Sequence, residues 1–256
     1  MKSKPVLSII IPIFNESATA FQALERVHRY KNDKFGKEII IVESNSTDGT
    51  KEIVRDFCKK NKIEKVYYQD KPSGKSSAVR LGLEHATGDF ILIQDADLEY
   101  DVSDYESLVK PLIDGKSDFV LGSRNLGIYG RQKWRVRDFG EGEKLYAEIL
   151  NIGGVVIHNF FNLLYWIKIT DATTMFKVVR KSLIGRLKLT EEYFGLDWEL
   201  VCKLIRLGYK PYEVPVKFKA RGNKHGKKIK IFRDGMNALR IIIKYRFTPL
   251  ESFVKK

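Results

Sequence analysis

Three acidic residues occur at alternate positions in Asp95-Ala96-Asp97-Leu98-Glu99, directly after an apolar run. In an extended chain, side chains two residues apart point to the same side, so the three carboxylates are expected to face one point. Three carboxylates so close together repel one another unless a cation lies between them. Mg²⁺ and Mn²⁺ prefer oxygen ligands, and Mg²⁺ usually joins one or two carboxylates to substrate phosphates. We therefore predict that Asp95, Asp97 and Glu99 hold Mg²⁺ or Mn²⁺, with a solvated acidic turn as the alternative.

A second candidate for phosphate chemistry is Pro72-Ser73-Gly74-Lys75-Ser76. The full phosphate-loop motif needs a glycine where this chain has Gln69, so the motif itself is absent. The segment still predicts the start of a helix whose N-terminal amides face an anion, and Lys75 is expected to reach a phosphate. A simple helix cap is the alternative. No Gly-x-Gly-x-x-Gly follows the first strand, which argues against a dinucleotide enzyme, and Ile11–Glu16 lacks the glycines of a nucleotidyltransferase loop.

The elements that position these residues alternate between apolar strands and helices in the first half of the chain. The predicted strands are Val6–Phe14, Glu38–Val42, Lys65–Tyr68, Phe90–Gln94 and Phe119–Ser123. Helices are predicted between them at Thr19–Tyr30, Thr50–Asn61, Ser76–Ala86 and Asp104–Asp114. This order predicts an α/β fold with a mostly parallel, twisted sheet flanked by helices. Ligands bind beyond the carboxyl ends of such strands. One edge is therefore expected to carry Asn15, Glu16, Glu43, Asp70, Asp95 and Asp97.

The second half has a less regular pattern. It predicts, in order, a long mobile loop at Gly127–Gly142, a helical region at Glu143–Ile167, an extended piece at Asp171–Val178, a helix at Asp197–Leu207, a strand at Val214–Lys219 and a basic helix at Lys228–Arg246. We expect a single domain over residues 1–256. Within it, residues 1–123, 124–227 and 228–256 are expected to form three successive parts, of which the last is a basic helix and tail.

Positive charge is concentrated near the C-terminus. The formal net charge is +14, and Lys217–Lys256 contains thirteen Lys or Arg residues against two acids. Such a segment suits an anionic surface: a membrane phospholipid, a phosphorylated substrate or a nucleic acid. Aromatic residues are not interleaved with these cations as stacking platforms for bases would require, so no nucleic-acid partner is expected.

Two further features concern the compartment. Leu150–Ile167 has eighteen residues without a formal charge but contains several polar ones. Because a spanning helix needs about 20 predominantly apolar residues, we predict an amphipathic helix that lies in the core or in the bilayer interface. Cys58 and Cys202 are the two cysteines, and they have no metal-ligand spacing. A reduced, cytosolic setting is the simplest interpretation.

Several motifs occur together in a fixed order. They are Ser8-Ile9-Ile10-Ile11-Pro12-Ile13-Phe14-Asn15-Glu16, Ser46-Thr47-Asp48-Gly49-Thr50, Gly74-Lys75-Ser76-Ser77-Ala78-Val79-Arg80, Asp95-Ala96-Asp97 and Gly122-Ser123-Arg124. Together they resemble glycosyltransferase family 2, and within it the dolichyl-phosphate mannose/glucose synthase-like branch, over roughly residues 6–246. Thr170–Lys177, Gly226–Ile229 and Arg233–Gly235 are also similar to bacterial and archaeal members.

The resemblance implies a GT-A fold and inverting transfer with a divalent cation. Within a single catalytic domain, residues 1–123 would bind the nucleotide sugar and residues 124–227 would form the acceptor half. It implies that Pro12, Phe14 and Glu16 line the nucleotide pocket and that Asp70 contacts the base. Glu43 stands where the family usually has the first of two aspartates that contact base or ribose, and Ser44 replaces the second. By the same resemblance, the metal ligands are Asp95, Asp97 and Glu99, the lipid phosphate is bound by Arg124 and Arg137, and the donor diphosphate is covered by Arg221 and Lys228.

The acceptor decides whether a catalytic base is needed. A lipid phosphate is already an anion at neutral pH, whereas a sugar hydroxyl must lose a proton to a base. The acids available for that task are Asp171, Asp197 and Glu199, of which Asp197 is the candidate catalytic residue and a helix N-cap is its alternative role.

We therefore expect transfer of a hexose from GDP-mannose or a UDP-sugar to a polyprenyl or dolichyl phosphate. The alternative acceptor is a glycan hydroxyl in cell-surface polysaccharide synthesis. The expected location is cytoplasmic and peripheral to the membrane. An anionic membrane surface would be a partner, and either the chain's own surface or a membrane-anchoring subunit would hold it there.

Overall fold

The computed structural model describes residues 4–126, 144–193, 195–220 and 231–255. In these ranges the strands are β1 (Val6–Ile13), β2 (Gly36–Glu43), β3 (Val66–Tyr68), β4 (Phe90–Ile93), β5 (Phe119–Ser123), β6 (Lys177–Arg180) and β7 (Tyr212–Pro215). The helices are α1 (Ala20–Arg29), α2 (Thr50–Asn61), α3 (Gly74–His85), α4 (Tyr105–Ile113), α5 (Lys144–Tyr165), α6 (Lys181–Ile184), α7 (Gly195–Arg206) and α8 (Ile231–Phe247). Short 3₁₀ turns lie at Val102–Asp104 and Leu250–Phe253.

All seven strands form one sheet in the order β3-β2-β1-β4-β6-β5-β7. Strand β6 is antiparallel to both of its neighbours, and the other neighbouring strands run parallel. The predicted α/β fold with a mostly parallel sheet is therefore confirmed. The extended piece predicted at Asp171–Val178 overlaps β6, but β6 starts later, at Lys177, and lies between β4 and β5.

The central strands are apolar because helices cover both faces of the sheet. Along β1, Ile9 and Ile11 face the core formed with α1, α2 and α4, while Ile10 faces the core that includes α5, α7 and α8. Helix α3 also lies against β1, and a Cβ on Gly82 would overlap the side chain of Ile10. Glycine at this position therefore allows α3, and the lysine in its first turn, to lie close to the sheet.

Strands β6 and β7, which follow residue 123, belong to the same sheet as β1–β5. The single domain and its division into donor and acceptor halves stay predictions. The predicted loop at Gly127–Gly142 lies outside the described residues.

Candidate active site

The loops that follow β1 and β2 are joined at the carboxyl edge of the sheet. The backbone N–H of Asn15 donates to Ser46 Oγ at 2.9 Å, and Asn15 Oδ1 accepts from the N–H of Thr47 at 2.9 Å. The N–H of Glu16 donates to Thr50 Oγ1 at 2.9 Å. These bonds explain why the first two motifs carry Asn, Ser and Thr at these positions. They place the half-buried Phe14 and Glu16 at the edge, just beyond the buried Pro12.

The carboxylate of Glu43 shapes the second loop. It is fully buried, and its two oxygens accept the N–H groups of Asn45 at 3.0 Å and Ser46 at 2.7 Å. Asn45 has a positive φ of 55° and donates from its side chain to the carbonyl of Asp70 at 3.0 Å. The exposed Asp70 is thereby held beside this loop. The direct nucleotide contacts of Glu43 and Asp70 stay predictions.

Lys75 and Asp95 form the central ion pair of the edge. Lys75 Nζ lies 2.5 Å from Asp95 Oδ1 and 2.7 Å from Oδ2, and each side chain is about one-fifth exposed. Burial by itself would lower the pKa of Lys75, but the carboxylates of Asp95 and Asp197 outweigh it, so that the pKa is raised. The lysine is therefore a permanent cation in the first turn of α3, where an incoming diphosphate would also meet the helix N-terminus.

The acidic segment after β4 is a turn and not the extended chain assumed from the sequence. Leu98 has a positive φ of 63°, and Asp97 Oδ1 accepts the N–H of Glu99 at 3.0 Å. In the ranges that the structure describes, no three His, Cys, Asp or Glu side chains gather as a metal site. The carboxylates of Asp95 and Asp97 still fit Mg²⁺ or Mn²⁺ as a donor set, because such ions commonly take one or two carboxylates and complete their shell with substrate phosphates. The role of Glu99 as a third ligand stays a prediction.

Arg124 is tied to Asp171. Its Nε and Nη2 donate to the two carboxylate oxygens of Asp171, both at 2.7 Å, and Nη2 also donates to Thr173 Oγ1 at 2.7 Å. The side chains are 9% and 2% exposed. Burial would raise the pKa of Asp171, but the Arg124 guanidinium outweighs it and lowers the pKa. An acceptor phosphate would have to compete with this carboxylate. The other predicted cations, Arg137, Arg221 and Lys228, lie outside the described residues.

Asp197 is paired with a lysine that sequence reasoning did not single out. Lys177 Nζ lies 3.1 Å from Asp197 Oδ1 and also donates to the carbonyl of Thr174. The lysine side chain is 1% exposed. Burial lowers the pKa of Lys177, and Asp197 opposes that effect. A single lysine within the apolar run Met175–Val179 was the available signal, because a buried cation requires a partner.

Glu199 is also fully engaged. Its carboxylate is buried and accepts the N–H of Thr190 at 2.9 Å and that of Glu191 at 2.7 Å. Lys203 Nζ donates to it at 2.6 Å, and the hydroxyl of Tyr245 donates at 2.8 Å. Glu199 therefore fixes the segment that leads into α7.

Tyr193 is a second residue missed from the sequence. It has a positive φ of 52° and is 60% exposed. Its carbonyl accepts from Ser76 Oγ at 2.6 Å, and a Cβ on Gly74 would lie 3.2 Å from its ring. An exposed ring thus lies over the first turn of α3, next to Lys75. A left-handed tyrosine is uncommon and is often found at functional sites.

The fold and this edge define a nucleotide-sugar transferase of the GT-A type. The crystal structure of glucosyl-3-phosphoglycerate synthase from Mycobacterium tuberculosis, in complex with Mn²⁺, UDP and glucosyl-3-phosphoglycerate, has the same fold. It superposes with a TM-score of 0.67 at 17% identity over 94% of this chain and 80% of that chain. The model of glycosyl transferase family 2 matches residues 8–187. The chain therefore belongs to glycosyltransferase family 2 and is a glycosyltransferase, as predicted.

Curated relatives agree with this assignment. The glycosyltransferase AglJ of Haloferax volcanii is 23% identical over 236 residues, covering 92% of this chain and 70% of the relative. The probable glycosyltransferase YdaM of Bacillus subtilis is 29% identical over 82% of this chain and 49% of its own length. The dolichyl-phosphate beta-glucosyltransferase ALG5C of Trichomonas vaginalis is 32% identical over 48% of this chain and 39% of its own length. The matched regions therefore span less than half of the Bacillus and Trichomonas relatives.

Proposed function

We propose that this glycosyltransferase moves a hexose from a nucleoside diphosphate sugar to a polyprenyl or dolichyl phosphate, with inversion, at the cytoplasmic face of a membrane. The name of the Trichomonas relative, a dolichyl-phosphate glucosyltransferase, supports a lipid phosphate acceptor and a glucosyl group. A similar fold has been crystallised with UDP-glucose and Mn²⁺, so UDP-glucose is the first donor to test, ahead of GDP-mannose.

The observation that carries the proposal is the state of the three candidate bases. Asp171 is paired with Arg124, Asp197 with Lys177, and Glu199 with Lys203. A carboxylate that is held by a buried cation is a poor proton acceptor, because protonation would leave the cation without a partner. A hydroxyl acceptor needs a base, whereas a phosphate acceptor arrives deprotonated. The pairing therefore favours the phosphate.

The bonds that change follow from that acceptor. The bond between the anomeric carbon and the β-phosphate oxygen breaks, and its electron pair leaves with the nucleoside diphosphate. An oxygen of the acceptor phosphate forms the new bond from the opposite face, which inverts the configuration. Protein groups that meet the departing charge accelerate such a step. Lys75 is the proposed group for this role, with Arg221 and Lys228 as further proposed donor-side cations.

Asp95 and Asp97 would hold Mg²⁺ or Mn²⁺ together with donor phosphate oxygens, with Glu99 as the third proposed ligand. A bound divalent ion supplies positive charge that stabilises the leaving diphosphate. Pro12, Phe14, Glu16, Glu43 and Asp70 are proposed to surround the nucleoside, and the Glu43 carboxylate also holds the loop after β2. Arg124 and Arg137 remain the proposed contacts of the acceptor phosphate.

The test compares two acceptors that differ in one group. We expect transfer from UDP-glucose with Mn²⁺ to a short, water-soluble polyprenyl phosphate and none to the matching polyprenol. Formation of a glycoside with the polyprenol or with an oligosaccharide, and not with the phosphate, would establish the hydroxyl alternative.

Two variants distinguish between two roles of Asp197, as the counter-ion of Lys177 and as a catalytic base. Asp197→Asn alone leaves Lys177 buried without its carboxylate and is expected to lower stability. Lys177→Met combined with Asp197→Leu removes both charges, and we expect it to regain stability and to retain transfer to the phosphate within about tenfold of wild type. If Asp197 were the base, the folded double variant would lose roughly 10²–10⁴-fold in rate.

A further inference from the structure

The outward side of α5 carries a row of large apolar side chains. Six of them are between 47% and 88% exposed, and they recur every three or four residues except where Asn159 occupies the same face. This spacing places them in one line along the helix. We name them the α5 stripe: Leu145, Ile149, Ile152, Val156, Leu163 and, directly after the helix, Trp166.

The inward side of α5 carries three of its polar residues, Asn151, His158 and Asn162. Asn151 is 3% exposed, and Asn162 Nδ2 donates to the carbonyl of Ile169 at 2.9 Å. His158 Nε2 lies 2.6 Å from the same carbonyl. A helix that faces water usually has the opposite arrangement, with its polar residues outside. The outward face of α5 is therefore suited to an apolar medium.

Helix α8 adds cations beside this face. It packs along α5, because the hydroxyl of Tyr165 donates to the carbonyl of Ile242 at 2.9 Å and Arg246 Nε donates to that of Leu164 at 2.8 Å. The exposed side of α8 mixes apolar and basic residues. They are Arg233, Met236, Arg240, Ile243, Lys244 and Phe247. Arg240 and Lys244 share a single carboxylate, that of Glu191, so the pair keeps a net positive charge.

Helix α5 is long and apolar enough to cross a bilayer, and 22% of its most apolar 18 residues are buried in the protein. However, Phe161 and Tyr165 are part of the core beneath the sheet, and Asn162 is bonded to the following segment. Pulling α5 through a bilayer would expose these groups to lipid. An orientation parallel to the membrane keeps them in place.

We propose that the α5 stripe inserts into the interface of a bilayer containing anionic phospholipid, with the α8 cations against its headgroups. The inference deepens the proposed function and rests on it, because that bilayer would contain the acceptor. A second copy of the chain fits less well, since two such faces would bring like charges together. The segment bonded to α5 at Ile169 continues to Asp171, which links the helix through two residues to the Arg124–Asp171 pair.

The test is flotation of the full chain with vesicles of phosphatidylcholine alone or with roughly a third phosphatidylglycerol, the anionic fraction supplying the surface potential. We expect binding to the anionic vesicles and weaker binding at high salt. Val156→Glu and Ile152→Glu, each changing an exposed residue, should lower the bound fraction roughly tenfold. The matched control is Ile113→Glu, because Ile113 is 39% exposed on α4, which packs on the other face of the sheet.

Two readouts keep this inference separate from the proposed function. Transfer to a short, soluble polyprenyl phosphate without vesicles should be the same for Val156→Glu and wild type. If neither protein transfers to it, the proposed function fails while flotation still tests the surface. Equal flotation of wild type and both stripe variants would overturn the inference. So would a wild-type dimer, seen by light scattering, that Val156→Glu dissociates.

Discussion

Lys75 Nζ contacts both carboxylate oxygens of Asp95, at 2.5 and 2.7 Å, across the carboxyl edge of the sheet. The two residues come from different parts of the chain, the first turn of α3 and the segment that follows β4. The lysine neutralises the first acid of the segment where the predicted cation would bind. A donor diphosphate would place new negative charge beside the same lysine, so this pair is where donor binding is expected to change the contacts first.

Removing the charge of Lys75 should slow transfer. We expect Lys75→Met to lower kcat/KM for the nucleotide sugar by roughly 10²–10³-fold, because a preorganised cation at the leaving group is lost. Lys75→Arg should keep part of the activity. The matched control is Lys71→Met. Lys71 is an exposed lysine just before α3, and its replacement should change kcat/KM little. Steady-state kinetics for the four proteins would contradict the role of Lys75 if both methionine variants behaved alike.

The predicted cation can be tested through Asp97. Asp97→Asn keeps an oxygen that accepts the N–H of Glu99, so the turn should survive while the negative charge is lost. For wild type, Mn²⁺ and a nucleotide sugar at about 100 times the dissociation constant should stabilise the fold by ~2.7 kcal/mol. We expect this stabilisation to disappear in Asp97→Asn and in wild type treated with chelator. A shift of the same size in all three samples would exclude Asp97 as a ligand.

The sequence predicted the parts of the fold that depend on local pattern. The runs Val6–Ile13 and Phe90–Ile93 are apolar because both faces of the sheet are covered, and that pattern placed the acidic segment at the correct edge. The sequence pattern does not indicate that β6 lies inside the sheet, between β4 and β5. Its pairing with β4 and β5 joins residues far apart in the chain, and its first residue is a buried lysine.

The ion pairs of the site could not be predicted from the sequence, because their partners are far apart in the chain. Arg124 and Asp171 are 47 residues apart, and Lys177 and Asp197 are 20 apart. No local periodicity relates such partners, and each acid resembled a candidate base when considered alone. The turn at Leu98 was missed because a leucine with positive φ is uncommon and has no sequence signature.

The Arg124–Asp171 pair allows acceptor binding to be separated from structure. We expect Arg124→Met to destabilise the fold by about 3–5 kcal/mol, because it leaves the Asp171 carboxylate buried and unpaired. Arg124→Met with Asp171→Leu should recover most of that loss in a urea unfolding experiment. If Arg124 also contacts the acceptor phosphate, the folded double variant should show a raised KM for polyprenyl phosphate and an unchanged KM for the nucleotide sugar. An unchanged acceptor KM would assign Arg124 a structural role alone.

Acid should weaken the fold through Glu38 on β2. Burial would raise the pKa of Glu38, but hydrogen bonds from Lys65, Ser8 and Thr87 outweigh it and lower the pKa from 4.5 to about 2. A carboxyl whose pKa is depressed by folding stabilises the protein above its ordinary pKa, and this stability is lost as the pH falls toward the folded-state value. The size of the pKa shift limits the contribution of Glu38 to the free energy of unfolding to about 3 kcal/mol. The Glu38 side chain is only 13% exposed, so solvent weakens its interactions little.

We therefore expect the free energy of unfolding of wild type to fall between pH 4.5 and about 2, the interval set by the two pKa values of Glu38. Glu38→Gln should be less stable at neutral pH and should show a shallower decline over this interval. The matched control is Glu25→Gln, because Glu25 pairs with Arg29 one turn away on the surface of α1. It should reproduce the wild-type slope. Urea unfolding at a series of pH values measures all three proteins, and parallel curves for wild type and Glu38→Gln would show that another group causes the acid sensitivity.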